Sequence, residues 1–178
     1  PLLSIPSIKE VISGNLDSYN LMPISINDLL SREVVNADKK LLEMGVKEKV
    51  VLITGAGGSI GSEISIQIVK MKPRKLILID INEKNLYELI NNLKKYDNSG
   101  IIKFVLGDSG DFNLMKQLIS SNNVDLIFHT SAYKHVNLVE NNPIQGLLNN
   151  VMSSFVICEL SSLLKVPKVI LISSDKAV

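Results

Sequence analysis

Lys49-Val50-Val51-Leu52-Ile53-Thr54-Gly55-Ala56-Gly57-Gly58-Ser59-Ile60-Gly61 decides the fold of this 178-residue chain. Val50 to Ile53 form the unbroken apolar run of a parallel strand covered on both faces. Four glycines follow within seven residues, where the chain must turn sharply and its backbone can approach a ligand closely. Ser59 then opens a stretch with helical apolar spacing, so the turn ends on a helix N-terminus. Free amides and the helix dipole at such an end stabilise a phosphate group. Asp80 closes the next apolar run nineteen positions after Gly61, where a dinucleotide fold carries its ribose-binding acid. A structural glycine turn in an α/β protein without ligand is the alternative.

Working outward, strand-like runs fall at 49–54, 75–80, 101–107, 124–129 and 168–173, with helical segments at about 58–71, 83–96, 111–121 and 142–165. Alternation of this kind gives right-handed crossovers and a doubly wound parallel sheet. The fold class expected is therefore α/β, a Rossmann-type NAD(P)-binding sheet that stops after its fifth strand. In the last helix Ile144, Leu147, Leu148, Val151, Met152, Phe155, Val156, Leu160 and Leu163 keep one apolar stripe, expected to face the core. Asn142 before Pro143 reads as its N-cap, with proline at the first helical position.

Residues 1–48 read as an N-terminal arm and 49–178 as the nucleotide domain. Pro1, Pro6 and Pro23 interrupt short apolar pieces in the arm, and short helices are expected around Ile26–Leu30, Val34-Val35 and Leu41-Leu42. Pro1 in first place and Val178 directly after a strand read as cut ends of a longer protein.

A hydrophobic content of 46% excludes a disordered tail, and a net charge of +1 leaves no electrostatic case for nucleic acid or an anionic membrane. Backbone amides, not a basic patch, must bind phosphate. Cys158 stands alone, so an internal disulfide is impossible and a reducing, cytoplasmic setting is expected. Its helical apolar surroundings read as those of a buried structural thiol. No cluster has metal-ligand spacing, and no apolar run approaches the ~20 residues of a membrane span.

Strands of a doubly wound sheet deliver their C-terminal ends to one crevice, where ligands bind. Those ends are Thr54–Gly61, Asp80, Gly107-Asp108, His129–Ala132 and Ser173–Lys176, and all five are polar or glycine-rich. Asp80 suits an adenosine ribose, which favours NAD over NADP since no arginine follows, although Lys84 is near; an N-cap for the next helix is the other reading. Asp108 either touches the adenine edge or holds a turn. His129 reads as a satisfied boundary residue, followed by small neighbours that let backbone pass close to a cofactor. Ser173-Ser174-Asp175-Lys176 offers hydroxyl, acid and base together, or is a solvated loop. Tyr133-Lys134-His135 forms a second polar group on the same rim.

Six segments occur in an order that resembles one family: Thr54–Glu63; Asp80 with Asn82-Glu83 and Leu86–Glu88; His129–Val136; Glu140–Pro143; Asn149–Val151; and Ile172–Val178. Together they resemble the CapD-like polysaccharide-biosynthesis proteins, sugar-nucleotide dehydratases and epimerases of the extended short-chain dehydrogenase superfamily. The likeness runs over residues 26–178, and Ile26–Glu33 resembles the segment that precedes the family's nucleotide domain. It implies NAD, or NADP, as cofactor, a UDP-sugar substrate of the N-acetylglucosamine type, and a homo-oligomer. In long members a membrane-spanning region lies upstream, which would tether the protein to the cytoplasmic face of the inner membrane.

Carried onto this sequence, the resemblance implies cofactor binding by Thr54, Gly55, Gly57, Gly58, Ser59, Ile60, Gly61, Asp80, Asp108, Ser131, Ala132, Tyr133 and Asn150, with Lys134 and His135 toward the substrate. Ser174 would hold the sugar 4-hydroxyl, Asp175 would protonate the departing 6-hydroxyl, and Lys176 would remove the C5 proton. The chain departs from the family pattern in four ways. Ser174 replaces threonine, Ser153-Ser154 replaces Gly-Thr, Thr130-Ser131 replaces two alanines, and the sequence stops before the superfamily's Tyr-x-x-x-Lys or Met-x-x-x-Lys segment and the sugar-binding region. The competing reading is a nucleotide-binding module without catalysis.

Overall fold

The computed structural model describes residues 38–96 and 100–173, together with two short strands, β1 (Leu3–Ser4) and β2 (Met22–Pro23), which pair antiparallel. The arm helices expected at 26–30 and 34–35 lie outside the described residues, as do Ser174, Asp175 and Lys176. The chain divides into two units, Pro1–Asp38 and Lys39–Val178. The division falls before helix α1 (Lys39–Val46), not after it. Val46 is buried, and its side chain packs with Val51 and Ile53, which is why α1 belongs with the second unit.

That unit is a five-stranded sheet in the order β5-β4-β3-β6-β7, every pair parallel. The strands are β3 (Val50–Thr54), β4 (Lys75–Asp80), β5 (Ile102–Leu106), β6 (Leu126–His129) and β7 (Lys168–Leu171). Helices α2 (Ser59–Lys70), α3 (Glu83–Leu93) and α4 (Phe112–Asn122) connect them in turn. From β3 the chain steps outward through β4 to β5, then returns past β3 to lay down β6 on its other side. The reversal opens a crevice at the C-terminal ends of β3 and β6.

The period of two along each strand sorts side chains onto two cores. Leu52, Ile77, Ile79 and Ile127 pack on one face against Met115 and Ile119 of α4. Val51, Ile53, Leu76, Leu78 and Leu126 pack on the other against Ile68 and Val69 of α2 and Leu89 and Leu93 of α3. Among the described residues no helix is long and apolar enough to cross a membrane.

Between β6 and β7 the chain departs from expectation. A short helix α5 (Val136–Asn141), which the spacing did not announce, precedes α6 (Pro143–Gly146), a π-helical turn at Leu147–Met152, and α7 (Ser153–Leu163). Gly146, Met152 and Ser153 are all right-handed helical, so Pro143 to Leu163 is one continuous helix with a bulge in its middle. The extra residue in the bulge shifts the phase of everything before it. Ser153, Val156, Ile157, Leu160 and Ser161 face the core, while Ile144, Leu147, Leu148, Val151, Met152, Phe155 and Leu163 are exposed. The expected core stripe is therefore largely a surface stripe, with only Val156 and Leu160 of it buried. Cys158 is exposed as well, which corrects its reading as a buried thiol. Asn142 stands at the cap position with Pro143 after it, yet its side chain makes no cap bond; its Nδ2 donates back to the Leu138 carbonyl at 2.9 Å.

Candidate nucleotide site at the sheet crossover

The glycine loop is held by contacts that exclude side chains. Gly55 has φ +62°, and a Cβ there would lie 2.8 Å from the Ser131 amide nitrogen, so the loops after β3 and β6 touch backbone to backbone. A Cβ on Gly57 would meet Asn85 Cβ at 2.7 Å, which ties the loop to the first turn of α3. One on Gly61 would overlap the Gly55 carbonyl oxygen and stand 2.8 Å from Ala56 Cα. Gly58 is different. Its missing Cβ would approach only the Gly55 oxygen, at 3.3 Å, and the residue lines a cleft. Gly58 is also the N-cap of α2 and supplies no side-chain cap to the amides of Ser59, Ile60 and Gly61. An N-terminus of that kind, open toward a cleft, is built for an anion.

Asp80 is buried and accepts from two backbone amides, Gly57 at 2.8 Å through Oδ2 and Asn82 at 2.8 Å through Oδ1. It thereby joins the glycine loop to the start of α3. Asn82, not Asp80, caps α3, accepting from the Asn85 amide at 3.0 Å. Each carboxylate oxygen of Asp80 keeps a second lone-pair direction, and the residue lines the cleft. Asp108 takes the turn role, its Oδ1 accepting from the Gly110 amide at 2.7 Å, and it lines the same cleft. Ser109 beside it reaches Ser131 Oγ at 3.1 Å and joins the ends of β5 and β6.

Thr54 is fully buried, and its Oγ1 lies 2.6 Å from His129 Nδ1. His129 Nε2 lies 3.1 Å from Ser154 Oγ and 3.4 Å from Ser153 Oγ. Burial lowers the His129 pKa to about 4, so the ring is neutral at pH 7 and bridges the seam between β3, β6 and α7. Ser153 and Ser154, the two departures from Gly-Thr, thus hold the histidine while bonding back to the carbonyls of Asn149 and Asn150.

The π-helical turn places Asn150 against the loop after β6. Its Oδ1 accepts from the Tyr133 amide at 2.7 Å and its Nδ2 donates to the Tyr133 carbonyl at 3.0 Å, a two-point clamp on the cleft rim. Lys134 Nζ donates to Ser59 Oγ at 3.2 Å, which brings an ammonium to the glycine loop. His135 is exposed at the start of α5 and makes no cap bond.

These residues surround a cavity of about 470 Å³ lined by Gly55, Gly58, Asp80, Asp108, Ser131, Ala132, Tyr133 and Asn149, with Asn82, Asn85 and Ser109 also on its wall. A second cleft, of about 560 Å³, continues past the rim between His129, Tyr133, Val136, Glu140, Leu171 and Ser173. Of the residues read from sequence, Gly55, Gly58, Asp80, Asp108, Ser131, Ala132 and Tyr133 meet in the first cavity, and Asn150 and Lys134 line the second cleft. Thr54 stands behind the site, on His129. Asn85 and Ser109 also line the cavity but carry no motif of their own; the proximity of Ser109 to Asp108 is the one sign in the sequence.

A five-stranded parallel sheet with an uncapped glycine-rich helix entry at its crossover defines a Rossmann-type α/β fold. The chain belongs to the polysaccharide biosynthesis protein family, whose model matches residues 51–178. It is 35% identical to the capsular polysaccharide biosynthesis protein CapD of Staphylococcus aureus over 178 residues, which are 99% of this chain and 30% of that protein. Among solved structures it is similar to Pen from Bacillus thuringiensis, with a TM-score of 0.70 and 30% identity over 76% of this chain and 42% of that one. It is also similar to UDP-glucose 4-epimerase from Bifidobacterium longum in complex with NAD+ and UDP, with a TM-score of 0.61 and 26% identity over 71% of this chain and 37% of that one. Relatives include both UDP-glucose 4-epimerases and dTDP-D-glucose 4,6-dehydratases. The chain spans about a third of the length of the curated relatives it matches.

Proposed function

We propose that this chain is the cofactor-binding part of an NAD-dependent sugar-nucleotide 4,6-dehydratase or epimerase in surface-polysaccharide synthesis, acting on a UDP-N-acetylglucosamine-type substrate. The observation that carries this reading is the cradle at Gly58, a glycine beside an uncapped helix end that opens into the cleft of Asp80 and Asp108. A side chain at Gly58 would fill the space a diphosphate needs, so the residues present fit the group.

In this reading the amides of Ser59, Ile60 and Gly61 bind the diphosphate, and Asp80 accepts from ribose hydroxyls through its remaining lone pairs. The Asp80 charge disfavours a 2′-phosphate, which supports NAD over NADP. The cofactor supplies a hydride acceptor when bound. Ser174 holds the sugar 4-hydroxyl. Lys176, in its neutral form, takes the C5 proton of the 4-keto sugar, and Asp175 gives a proton to the 6-hydroxyl as the C6–O bond breaks, so that water leaves across C5–C6. The exposed apolar stripe from Ile144 to Phe155 supports assembly as a homo-oligomer.

The test is mass spectrometry of the full-length protein incubated with UDP-N-acetylglucosamine. Loss of one water from the sugar nucleotide establishes dehydration. Unchanged mass with altered configuration by NMR establishes epimerisation. An unaltered substrate with NAD bound counts against both.

A further inference from the structure

We infer that Glu140, on α5, selects the sugar: its carboxylate receives ring hydroxyls in the second cleft and excludes sugars that carry a carboxylate of their own. The inference rests on the proposed sugar-nucleotide function and assigns a residue that the mechanism above does not use.

Most polar groups of that cleft are already engaged within the protein. His129 is held by Thr54, Ser153 and Ser154. Asn150 grips the Tyr133 backbone, and Ser154 donates to the Asn150 carbonyl at 2.8 Å. Lys134 lines the cleft too, but its ammonium is on Ser59 Oγ, so it does not neutralise Glu140. The Glu140 side chain makes no hydrogen bond or ion pair among the described residues and lies on the wall of the cleft.

The surroundings define what an unengaged carboxylate can receive. Val136, Val139, Leu171 and Ile172 give the cleft apolar walls, which suit the C–H faces of a pyranose ring. Ser173, immediately before the Ser174-Asp175-Lys176 run in sequence, also lines the cleft. A carboxylate accepts only, with room for two hydroxyl donors, and neighbouring hydroxyls on a hexose supply them. Phosphates and uronate groups meet like charge there. The chemistry selects an uncharged hexose ring.

The experiment uses the full-length protein saturated with NAD+, its Glu140→Ala and Glu140→Gln variants, and two probes, UDP-glucose and UDP-glucuronic acid, with Kd measured by calorimetry. The parent is expected to bind UDP-glucose at least tenfold more tightly than UDP-glucuronic acid. Glu140→Ala should weaken UDP-glucose by about tenfold or more, the worth of a hydrogen bond to a charged group. Glu140→Gln should bring the two ligands to within a fewfold of one another. NAD+ affinity should be unchanged in both variants, which shows that they remain folded and that the effect lies in the sugar cleft. Variants that bind both sugar nucleotides as the parent does overturn the role of Glu140 and leave the proposed function standing. A parent that binds NAD+ but neither sugar nucleotide overturns the role of Glu140, while the proposed function is decided separately by turnover of UDP-N-acetylglucosamine.

Discussion

Thr54 Oγ1 and His129 Nδ1 meet at 2.6 Å across the seam where β3 and β6 run in register. The two residues end the two strands between which the sheet changes direction, so the bond fixes the floor of the crevice. With Ser153 and Ser154 on the other ring nitrogen, the histidine also joins that floor to the helix whose π-helical turn carries Asn150. The rim at Tyr133 is therefore set by a chain of contacts that starts in the buried sheet.

That arrangement makes stability depend on pH. The folded His129 has a pKa of about 4, below the ordinary 6.5 it regains on unfolding. The folded state thus favours the neutral ring, and its contribution is fully present above pH 6.5. It is lost as pH falls from 6.5 toward 4, by ~3 kcal/mol for one group shifted this far. Urea unfolding of the parent and His129→Gln between pH 7.5 and 4.5 checks this. The parent should lose its advantage as the pH falls; parallel curves would remove His129 as the cause.

Gly61 should be intolerant for reasons of packing alone. Gly61→Ala drives a Cβ into the Gly55 carbonyl and Ala56 Cα, and overpacking of this kind costs ~1–3 kcal/mol. Thermal melts should show Gly61→Ala well below Gly58→Ala, whose new methyl group meets only one atom, at 3.3 Å. Equal melting temperatures would contradict the loop geometry.

Asp80 has a structural role, and in the proposed function it also sets cofactor preference. Asp80→Ala leaves the Gly57 and Asn82 amides without their acceptor and should cost ~2 kcal/mol. It should also narrow the preference for NAD+ over NADP+, which we expect to be about tenfold in the parent, the effect of ~1.4 kcal/mol of charge repulsion. Dissociation constants for the two cofactors at equal ionic strength decide the matter. Tighter NADP+ binding by the parent would point to Lys84 instead.

The strand–turn–helix from Val50 to Lys70 was legible because a buried parallel strand, a glycine run and an amphipathic helix each leave a separate pattern in sequence. The ends of β3 to β6, and hence the crevice, followed from the same alternation; β7 ends at Leu171, and Ser174 to Lys176 of the expected fifth end lie outside the described residues. The helix from Pro143 to Leu163 was legible as a helix, but not the side it buries. Periodicity reports that Leu148, Val151 and Phe155 share a face; it does not report that Ser153 and Ser161 are the residues turned inward. The π-helical turn that resets the phase has no marker in residue type. Asp80 was recognised by position, while its bonds to Gly57 and Asn82 depend on how two loops meet.

The proton-transfer assignment separates Lys176 from its neighbours. In the full-length protein Lys176→Met should slow solvent deuterium exchange at sugar C5 by ~10²–10⁴-fold, the usual worth of a positioned base. NMR of the recovered sugar nucleotide measures it. Exchange at the parent rate would remove Lys176 from the mechanism.

In the proposed function the cleft beside Gly58 holds NAD. Calorimetric titration of NAD+ into the parent and into Gly58→Val tests it most directly, with the melting curve of the variant as the control for folding. Saturable binding by the parent, and none by a Gly58→Val variant that still melts cooperatively, is the result expected. A folded Gly58→Val variant that binds NAD+ as tightly as the parent would place the cofactor elsewhere.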